Sequence, residues 1–265
     1  MSSQNFKLGN TKNNINNVNK QIYMTKNVDK LADNPHNSDN IYMFTQFFIH
    51  SDNKRNIELK YCLKENVKTN YFAKIYLMNE RLYTKEELGL NETEMSMIQQ
   101  IIIGERLEFG LLFFKVSQLK INGYIVFCNS DMFFDKTLLN VHRSSLSIKK
   151  GIYTLLRFEY LKEKKLGYCK LFNHPSTNAP RPDSQDVWIY HTNFSPNEAI
   201  IETTNFEFGM PGCDNKITLI FDQNNYVCYN EPWKVKTYHY HMSQIRNYSH
   251  KDILPPPYLY VEPNI

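Results

Sequence analysis

From residue 41 onward, short apolar runs alternate with stretches whose apolar residues recur at helical spacing. The runs predict strands over residues 41–49, 72–78, 101–103 and 124–128. Amphipathic helices are predicted between them, one over 55–67 and one through Leu112, Val116 and Leu119. Strands that alternate with helices favour right-handed βαβ units, so we expect an α/β fold with a mostly parallel sheet flanked by helices.

The second half of the chain is less regular. Further strands are predicted at 152–158, 187–190, 226–229 and 235–241, and a helix at 214–222. A loop over 161–186 contains Lys, Gly, Asn, Pro and Ser and is expected to close over a ligand. The proline-rich residues 255–258 are expected to be extended.

Residues 1–40 differ from the rest in composition. They are dominated by Asn, Lys, Ser and Asp and show no sustained apolar period. Such a segment cannot bury enough apolar surface to offset its ordering entropy. We therefore expect a flexible or peripheral arm over 1–40 and a single domain over 41–265.

Polar residues follow each of the first four predicted strands, at 50–52, 79–81, 104–106 and 129–131. The carboxyl ends of parallel strands meet at one edge of a sheet, and ligands of open α/β sheets bind at that edge. The sequence therefore predicts a polar binding crevice there.

Composition narrows the class of protein. The formal net charge of the 265 residues is only +4, and no basic stripe with interleaved aromatics is present, so no nucleic-acid partner is expected. The five cysteines are odd in number and lack CxxC spacing, which argues against a zinc or disulfide framework. The chain shows neither an apolar signal-peptide core nor a run of about 18 apolar residues, so we expect no membrane span. A cytoplasmic location in the producing or host cell is the resulting expectation.

The buried strand at 124–128 stops abruptly at Asn129-Ser130-Asp131. A carboxylate at a strand end, with a second at Asp135, can hold a hard divalent cation that in turn holds phosphates. The same residue types are ordinary turn formers, so a simple turn is the alternative.

A second candidate is Asp214, which follows the Gly-Pro loop at 209–213. It could be a general base that accepts a proton from an attacking hydroxyl. The alternative is that Asp214 caps the helix that begins there, which is the commoner role of an isolated Asp, and capping would lower its pKa and weaken it as a base.

Three further groups carry candidate chemistry. His239 and His241 point to one face if 235–241 is a strand, so they could complete a metal site with Asp131, or be ordinary core or surface residues. Asp186 and Trp188 stand in a mixed polar stretch typical of sugar-binding surfaces, although the Trp could simply anchor a loop. Arg157, within a predicted buried strand, is an ion-pair partner or a diphosphate contact.

Together these residues resemble the GT-A class of nucleotide-sugar glycosyltransferases over about residues 41–250. In that resemblance Asn129-Ser130-Asp131 stands at the DxD-type triad that binds Mn²⁺ or Mg²⁺. Gly212-Cys213-Asp214 stands at the acidic helix start where inverting members carry the base, and His239 or His241 at the late metal-ligating histidine. The stretches RPDSQDVWI, FGMPGCDN and KTYHYH are also similar to an uncharacterised glycosyltransferase-like family of viral and microbial surface-glycan clusters.

The resemblance implies a Rossmann-type GT-A-like domain that moves a sugar from a nucleotide-sugar donor to a glycan or glycoconjugate acceptor. A UDP-sugar is favoured over a GDP- or dTDP-sugar. The implied donor-site residues are His50, Ser51, Asn79, Glu80, Asn129, Ser130 and Arg157. Asp186 and Trp188 would position the sugar or the acceptor.

Two departures from the family's residue pattern leave other classes of function open. Asn129 replaces the first acid of the triad, which would suit a non-catalytic nucleotide- or glycan-binding module. The helix start that would carry the general base has one acid, Asp214, where the family has a pair. A metal-dependent nuclease or phosphatase that uses Asp131, Asp183, Asp186 and His239 is the other alternative.

Overall fold

A seven-stranded sheet with helices on both faces forms the centre of the computed structural model, which describes residues 21–24, 27–29, 39–161, 165–246 and 248–265. The strands are β1 Gln21–Met24, β2 Ile41–Thr45, β3 Lys74–Asn79, β4 Ile98–Ile102, β5 Tyr124–Cys128, β6 Met132–Phe134, β7 Gly151–Leu156, β8 Phe158–Glu159, β9 Lys170–Leu171, β10 Gln185–His191, β11 Val227–Tyr229, β12 Thr237–His239 and β13 Tyr258–Val261. The α-helices are α1 Asn53–Lys68, α2 Lys85–Leu88, α3 Glu92–Met95, α4 Phe109–Leu119, α5 Glu198–Thr203 and α6 Cys213–Gln223. Short 3₁₀ helices cover Lys136–Arg143, Leu166–Tyr168, Thr192–Phe194 and His250–Asp252.

The strand order of the large sheet is β11-β7-β10-β5-β2-β3-β4, and β10 alone runs against the others. The predicted mixed, mostly parallel α/β sheet is therefore confirmed. A smaller sheet, ordered β6-β12-β8-β9, packs beside it. A third pairing joins β1 to β13 in parallel.

Alternate side chains of the central strands enter two different cores. Met43 and Val126 join the apolar cluster beneath α1, whereas Phe44 and Phe127 join the cluster that contains α4 and α6 residues. This two-sided burial explains why the strands read as continuous apolar runs without polar alternation.

Several predicted boundaries differ from the structure. The first strand ends at Thr45, because the chain leaves the sheet while Phe47 stays in the core and donates its backbone N–H to Asn79. The predicted strand 152–158 is divided at Arg157 between β7 and β8, which belong to different sheets. The predicted strand 235–241 is paired only over β12.

The described residues among 21–29 pack on the domain, although they fall within the arm that the sequence predicts for 1–40. Asp29 is only 2% exposed and accepts hydrogen bonds from the hydroxyls of Ser145, at 2.6 Å, and Tyr153, at 2.8 Å. Its backbone N–H donates to buried Glu231 at 2.8 Å. The other residues of the predicted arm, apart from 39–40, lie outside the described residues.

Replacing Asp29 by Ala should lower the free energy of unfolding by about 1–3 kcal/mol, since two buried hydroxyls would lose their acceptor. Denaturant melts would measure the loss. The control is Val28→Ala, because Val28 is 53% exposed and its truncation should change stability by less than about 0.5 kcal/mol. Equal effects of the two changes would show that the Asp29 network does not stabilise the domain.

Across the parts of the chain that the structure describes, no helix is both long and apolar enough to cross a membrane.

Candidate functional site

A cavity of about 780 Å³ opens at the carboxyl ends of β2, β3 and β5. It is continued by the residues before β10, the start of α6 and the segment after β12. Most predicted site residues line it: Glu80, Asn129, Ser130, Asp131, Arg157, Asp186, Asp214, His239 and His241. The sheet edge thus brings together groups that are up to 161 positions apart in the chain, from Glu80 to His241.

Asp131 and the two histidines meet because two sheets converge at the end of β5. The chain turns at residues 129–131 and re-enters directly as β6, which pairs with β12 so that Met132 faces His239. The backbone N–H of Tyr240 donates to the carbonyl of Asp131 at 3.0 Å. As a result, three potential ligand atoms lie within 4.8 Å of one another, one from each of Asp131, His239 and His241. All three side chains are buried.

The Asp131 carboxylate is strongly stabilised in its ionised form. Burial opposes ionisation, but His239 and Arg55 outweigh it and hold the pKa of Asp131 well below its usual range. The contacts are 2.6 Å from Arg55 Nη2 and 3.2 Å from His239 Nε2, both to Oδ2. The carboxylate therefore stays ionised throughout the physiological pH range.

The two histidines have different electrostatic environments. Burial and Arg157 act to lower the pKa of His239, but Asp131 and Glu159 raise it to about 9. The pKa of His241 is lowered, mainly by burial and by the charge of Arg55. His241 Nδ1 lies 3.8 Å from Asp131 Oδ2, while its Nε2 contacts the carbonyl of Ile245 at 2.8 Å.

This donor set fits a divalent transition metal. One carboxylate oxygen and two imidazole nitrogens suit Mn²⁺ better than Mg²⁺, which is bound through oxygen. The Nδ1 of His239 contacts Glu159 at 3.2 Å, and such a carboxylate contact orients metal-ligating histidines. His239 would release a proton on metal binding, since only neutral imidazole is a ligand.

Asp135 does not join this group. Its Oδ1 accepts from the backbone of Thr137 at 2.9 Å at the start of a 3₁₀ helix, and its Oδ2 accepts from the Tyr238 hydroxyl at 2.9 Å. The predicted second carboxylate, Asp135, is therefore held by Thr137 and Tyr238 and is not part of the ligand cluster among the described residues.

Asn129 belongs to a second polar cluster next to Asp131. Its amide donates to Asp186 Oδ1 at 2.7 Å, and Asp186 Oδ2 is paired with Arg157. Arg157 also donates to Ser184 at 2.6 Å and to Glu159 at 2.7 Å. An aspartate at 129 would place two carboxylates within hydrogen-bonding distance, so an amide at this position has a physical reason.

Asp214 does not cap its helix. The N-cap of α6 is Gly212, whose φ of 83° is left-handed and favours glycine, and Asp214 stands in the first turn. Its Oδ2 accepts from the backbone of Gln185 at 3.2 Å, and its Oδ1 from the backbone of Asn215 at 3.0 Å. Burial, reinforced by the charge of Asp186, nevertheless raises the pKa of Asp214 to about 7. Because Asp214 is not the N-cap, the lowered pKa that a capping role would bring does not arise.

Four predicted residues lie away from the cavity wall. His50 and Ser51 precede the N-cap of α1, where His50 Nδ1 accepts from the backbone of Asp52 at 2.8 Å. Asn79 is fully buried and bonded to Phe47 and Gln100. Trp188 is 0% exposed and stacks on Phe127, with ring centroids 5.4 Å apart. No face of its ring is open to a sugar, because β10 is a central strand covered on both sides.

The predicted strand end at 104–106 does reach the cavity through Glu105 and Arg106, but the sequence did not single out four other residues that line it: Gln46, Arg55, Phe172 and Tyr258. Arg55 is the most consequential, because it contacts Asp131 directly. One signal was present: a cation in the first turn of a helix opposes the helix dipole, which suggests that it is held there by an anion.

No protein-family model matches the sequence, and no curated protein matches it. Solved structures that share the fold include the following two. One is a mannosyltransferase from Pyrobaculum calidifontis in complex with GDP-Man and Mn²⁺, with a TM-score of 0.52 and 9% identity over 84% of this chain. The other is GalNAc-T7 with UDP, GalNAc and Mn²⁺, with a TM-score of 0.50 and 10% identity over 82% of this chain.

This chain spans only 62% of the mannosyltransferase chain and 45% of the GalNAc-T7 chain. The predicted GT-A-like fold is confirmed by these similarities. At identities of 9% and 10%, they establish the fold and not the reaction.

Proposed function

We propose that this chain is a nucleotide-sugar-dependent glycosyltransferase that works with a divalent cation. One observation carries the proposal: Asp131, His239 and His241 converge within 4.8 Å in the same cavity as Asp214, at the carboxyl edge of a GT-A-like sheet. Two of the solved structures with this fold, the mannosyltransferase and GalNAc-T7, contain a nucleotide or nucleotide sugar together with Mn²⁺, which supports the same ligand pair here.

Asp131, His239 and His241 would hold the cation, with Glu159 orienting His239. A cation bound there would supply positive charge to a departing nucleoside diphosphate, and such electrostatic stabilisation is usually the largest catalytic contribution. We predict that the nucleotide of the donor is UDP. The acceptor is proposed to be a glycan or glycoconjugate hydroxyl.

Asp214 is proposed as the general base, which makes the transfer an inverting one. A carboxylate with a pKa of about 7 is half ionised at neutral pH and is a stronger proton acceptor than an ordinary aspartate. Its neighbours are dipolar backbone and amide groups of Gln185 and Asn215, which hold its orientation without neutralising it.

The nuclease or phosphatase alternative is disfavoured by the partners of its acids. Asp183 is held by Arg181 through two bonds of 2.9 and 2.6 Å, and Asp186 is paired with Arg157. Among the residues that the structure describes, neither belongs to a cluster of potential metal ligands with Asp131 and His239.

The rate should depend on pH through Asp214. Its folded pKa is raised to about 7, so the basic form is lost as the pH falls below that value. We expect kcat/KM to fall by about tenfold per pH unit below 7. Asp186→Asn removes a charge that raises this pKa, so it should move the profile toward lower pH. A profile that is flat between about pH 5 and 8 would contradict the assignment of the base.

The reaction class is tested by incubating the full chain with UDP-, GDP- and dTDP-sugars, Mn²⁺ and a panel of glycan acceptors. Release of nucleoside diphosphate that requires acceptor and is lost with EDTA is the expected result. Binding of nucleotide without release would favour a non-catalytic module. If no donor binds and no nucleoside diphosphate is released, the proposed function is overturned.

A further inference from the structure

A single oxygen, Oδ2 of Asp131, is the point at which the charged groups of the proposed metal site meet. Arg55 Nη2 lies 2.6 Å from it, His239 Nε2 lies 3.2 Å from it, and His241 Nδ1 lies 3.8 Å from it. Arg55 is only 8% exposed, so water screens this charge poorly. The guanidinium therefore stands at the oxygen that a metal ion would need.

Arg55 is also attached to a second acid that lies outside the ligand cluster. Its Nη1 contacts Glu58 Oε2 at 3.1 Å, one helical turn further along α1. Glu58 is buried and is itself fixed by Ser243, whose backbone N–H and hydroxyl donate to its carboxylate at 2.6 and 2.9 Å. Arg55 can thus keep its bond to Glu58 while Nη2 leaves Asp131.

A guanidinium released from Asp131 would need another anion, because an unpaired buried charge is strongly unfavourable. Glu58 stays bonded to Nη1 and also accepts two hydrogen bonds from Ser243, but Nη2 would be left without the acceptor that Asp131 provides. Arg55 lines the cavity, where an incoming diphosphate would present oxygens in the geometry that a guanidinium binds through two parallel bonds.

We propose that Arg55 and the divalent cation compete for Oδ2 of Asp131, and that Arg55 turns to the diphosphate when the cation binds. The inference rests on the proposed function, because it assumes the metal site at Asp131. Two cations sharing one carboxylate oxygen repel each other, so Mn²⁺ alone binds weakly to the resting protein. A nucleoside diphosphate accepts the displaced guanidinium, so Mn²⁺ and the nucleotide bind cooperatively.

The test measures Mn²⁺ affinity by electron paramagnetic resonance, first with Mn²⁺ alone and then with UDP added. Arg55→Met should bind Mn²⁺ alone at least about tenfold more tightly than the wild type, because the competing cation is gone. UDP should then increase Mn²⁺ affinity less in this variant than in the wild type. Arg106→Met is the matched control, since it removes one arginine from the same cavity wall where Arg106 contacts Glu207 and the carbonyl of Phe208.

The outcomes separate this inference from the proposed function. Mn²⁺ affinity that is equal in Arg55→Met, Arg106→Met and the wild type would overturn the competition while leaving the metal site in place. Absence of Mn²⁺ binding in every form, with and without UDP, would overturn the metal site itself. If Arg55→Met does not fold, Arg55→Gln takes its place: its amide can still donate toward Glu58 but carries no charge, so Mn²⁺ affinity should rise above the wild type, and an unchanged value would overturn the inference.

Discussion

Replacing Asp131 by Asn is expected to reduce Mn²⁺-supported donor turnover by about 10²–10³-fold. The amide is nearly the same size but carries no charge, so the described ligand cluster loses its carboxylate and keeps the two imidazole nitrogens of His239 and His241. Steady-state kinetics with the nucleotide sugar would measure the loss, and paramagnetic resonance would show weaker Mn²⁺ binding. Thermal melts would establish that the variant is folded.

Asp135→Asn is the matched control for this variant. It removes the same charge four positions along the chain, from a residue that caps a 3₁₀ helix and contacts Tyr238 rather than the cavity. Its turnover should stay within a few fold of the wild type. Comparable losses in the two variants would mean that general charge or folding effects, and not a metal ligand, account for the result.

Asp214→Asn should lower kcat by about 10²–10⁴-fold with little effect on folding. The expected stability follows from the raised pKa: the unfolded chain ionises this carboxyl more readily than the folded one, so the wild type loses stability as the pH rises from about 4 to 7. Asn does not ionise, so the variant does not lose stability over this pH range. The variant should therefore melt at the same temperature as the wild type, or higher, at pH 8.

The control for Asp214 is Asp222→Asn, which removes an acid from the same helix α6 at a residue that does not line the cavity. Its kcat should be close to that of the wild type. Retention of full activity by Asp214→Asn on the true donor would end the base assignment. The reaction would then need another proton acceptor, or the chain would be a binding module.

The architecture was readable from the sequence because the central strands are buried on both faces. Continuous apolar runs such as 124–128, separated by helical stripes, have few alternatives to a parallel sheet. The same burial produced the error at Trp188. In sequence, a Trp in a strand buried on both faces looks the same as a Trp that faces a ligand. The structure shows that Trp188 is of the first kind, because its ring stacks on Phe127.

The metal cluster was predictable in part. The i, i+2 spacing of His239 and His241 placed both on one face, and Asp131 was singled out as the end of a buried strand. The pairing of β6 with β12 that joins them was not foreseen, since β6 is three residues long and follows β5 after only a short turn. Arg55 was missed because its partner Asp131 is 76 residues away.

The properties of Asp214 also required the structure. A left-handed Gly212 takes the N-cap position and shifts Asp214 into the first turn, where its pKa depends on burial and on Asp186. No local pattern encodes the closeness of Asp186 and Asp214, which come from β10 and α6.

The most direct test of the central claim is calorimetric titration of the wild-type chain with UDP and GDP, in Mn²⁺ and in EDTA. We expect a nucleoside diphosphate to bind at one site per chain, at least about tenfold more tightly in Mn²⁺ than in EDTA. Equal affinity in Mn²⁺ and EDTA, or no binding of either nucleotide in Mn²⁺, would contradict a metal-assisted nucleotide-sugar site at Asp131.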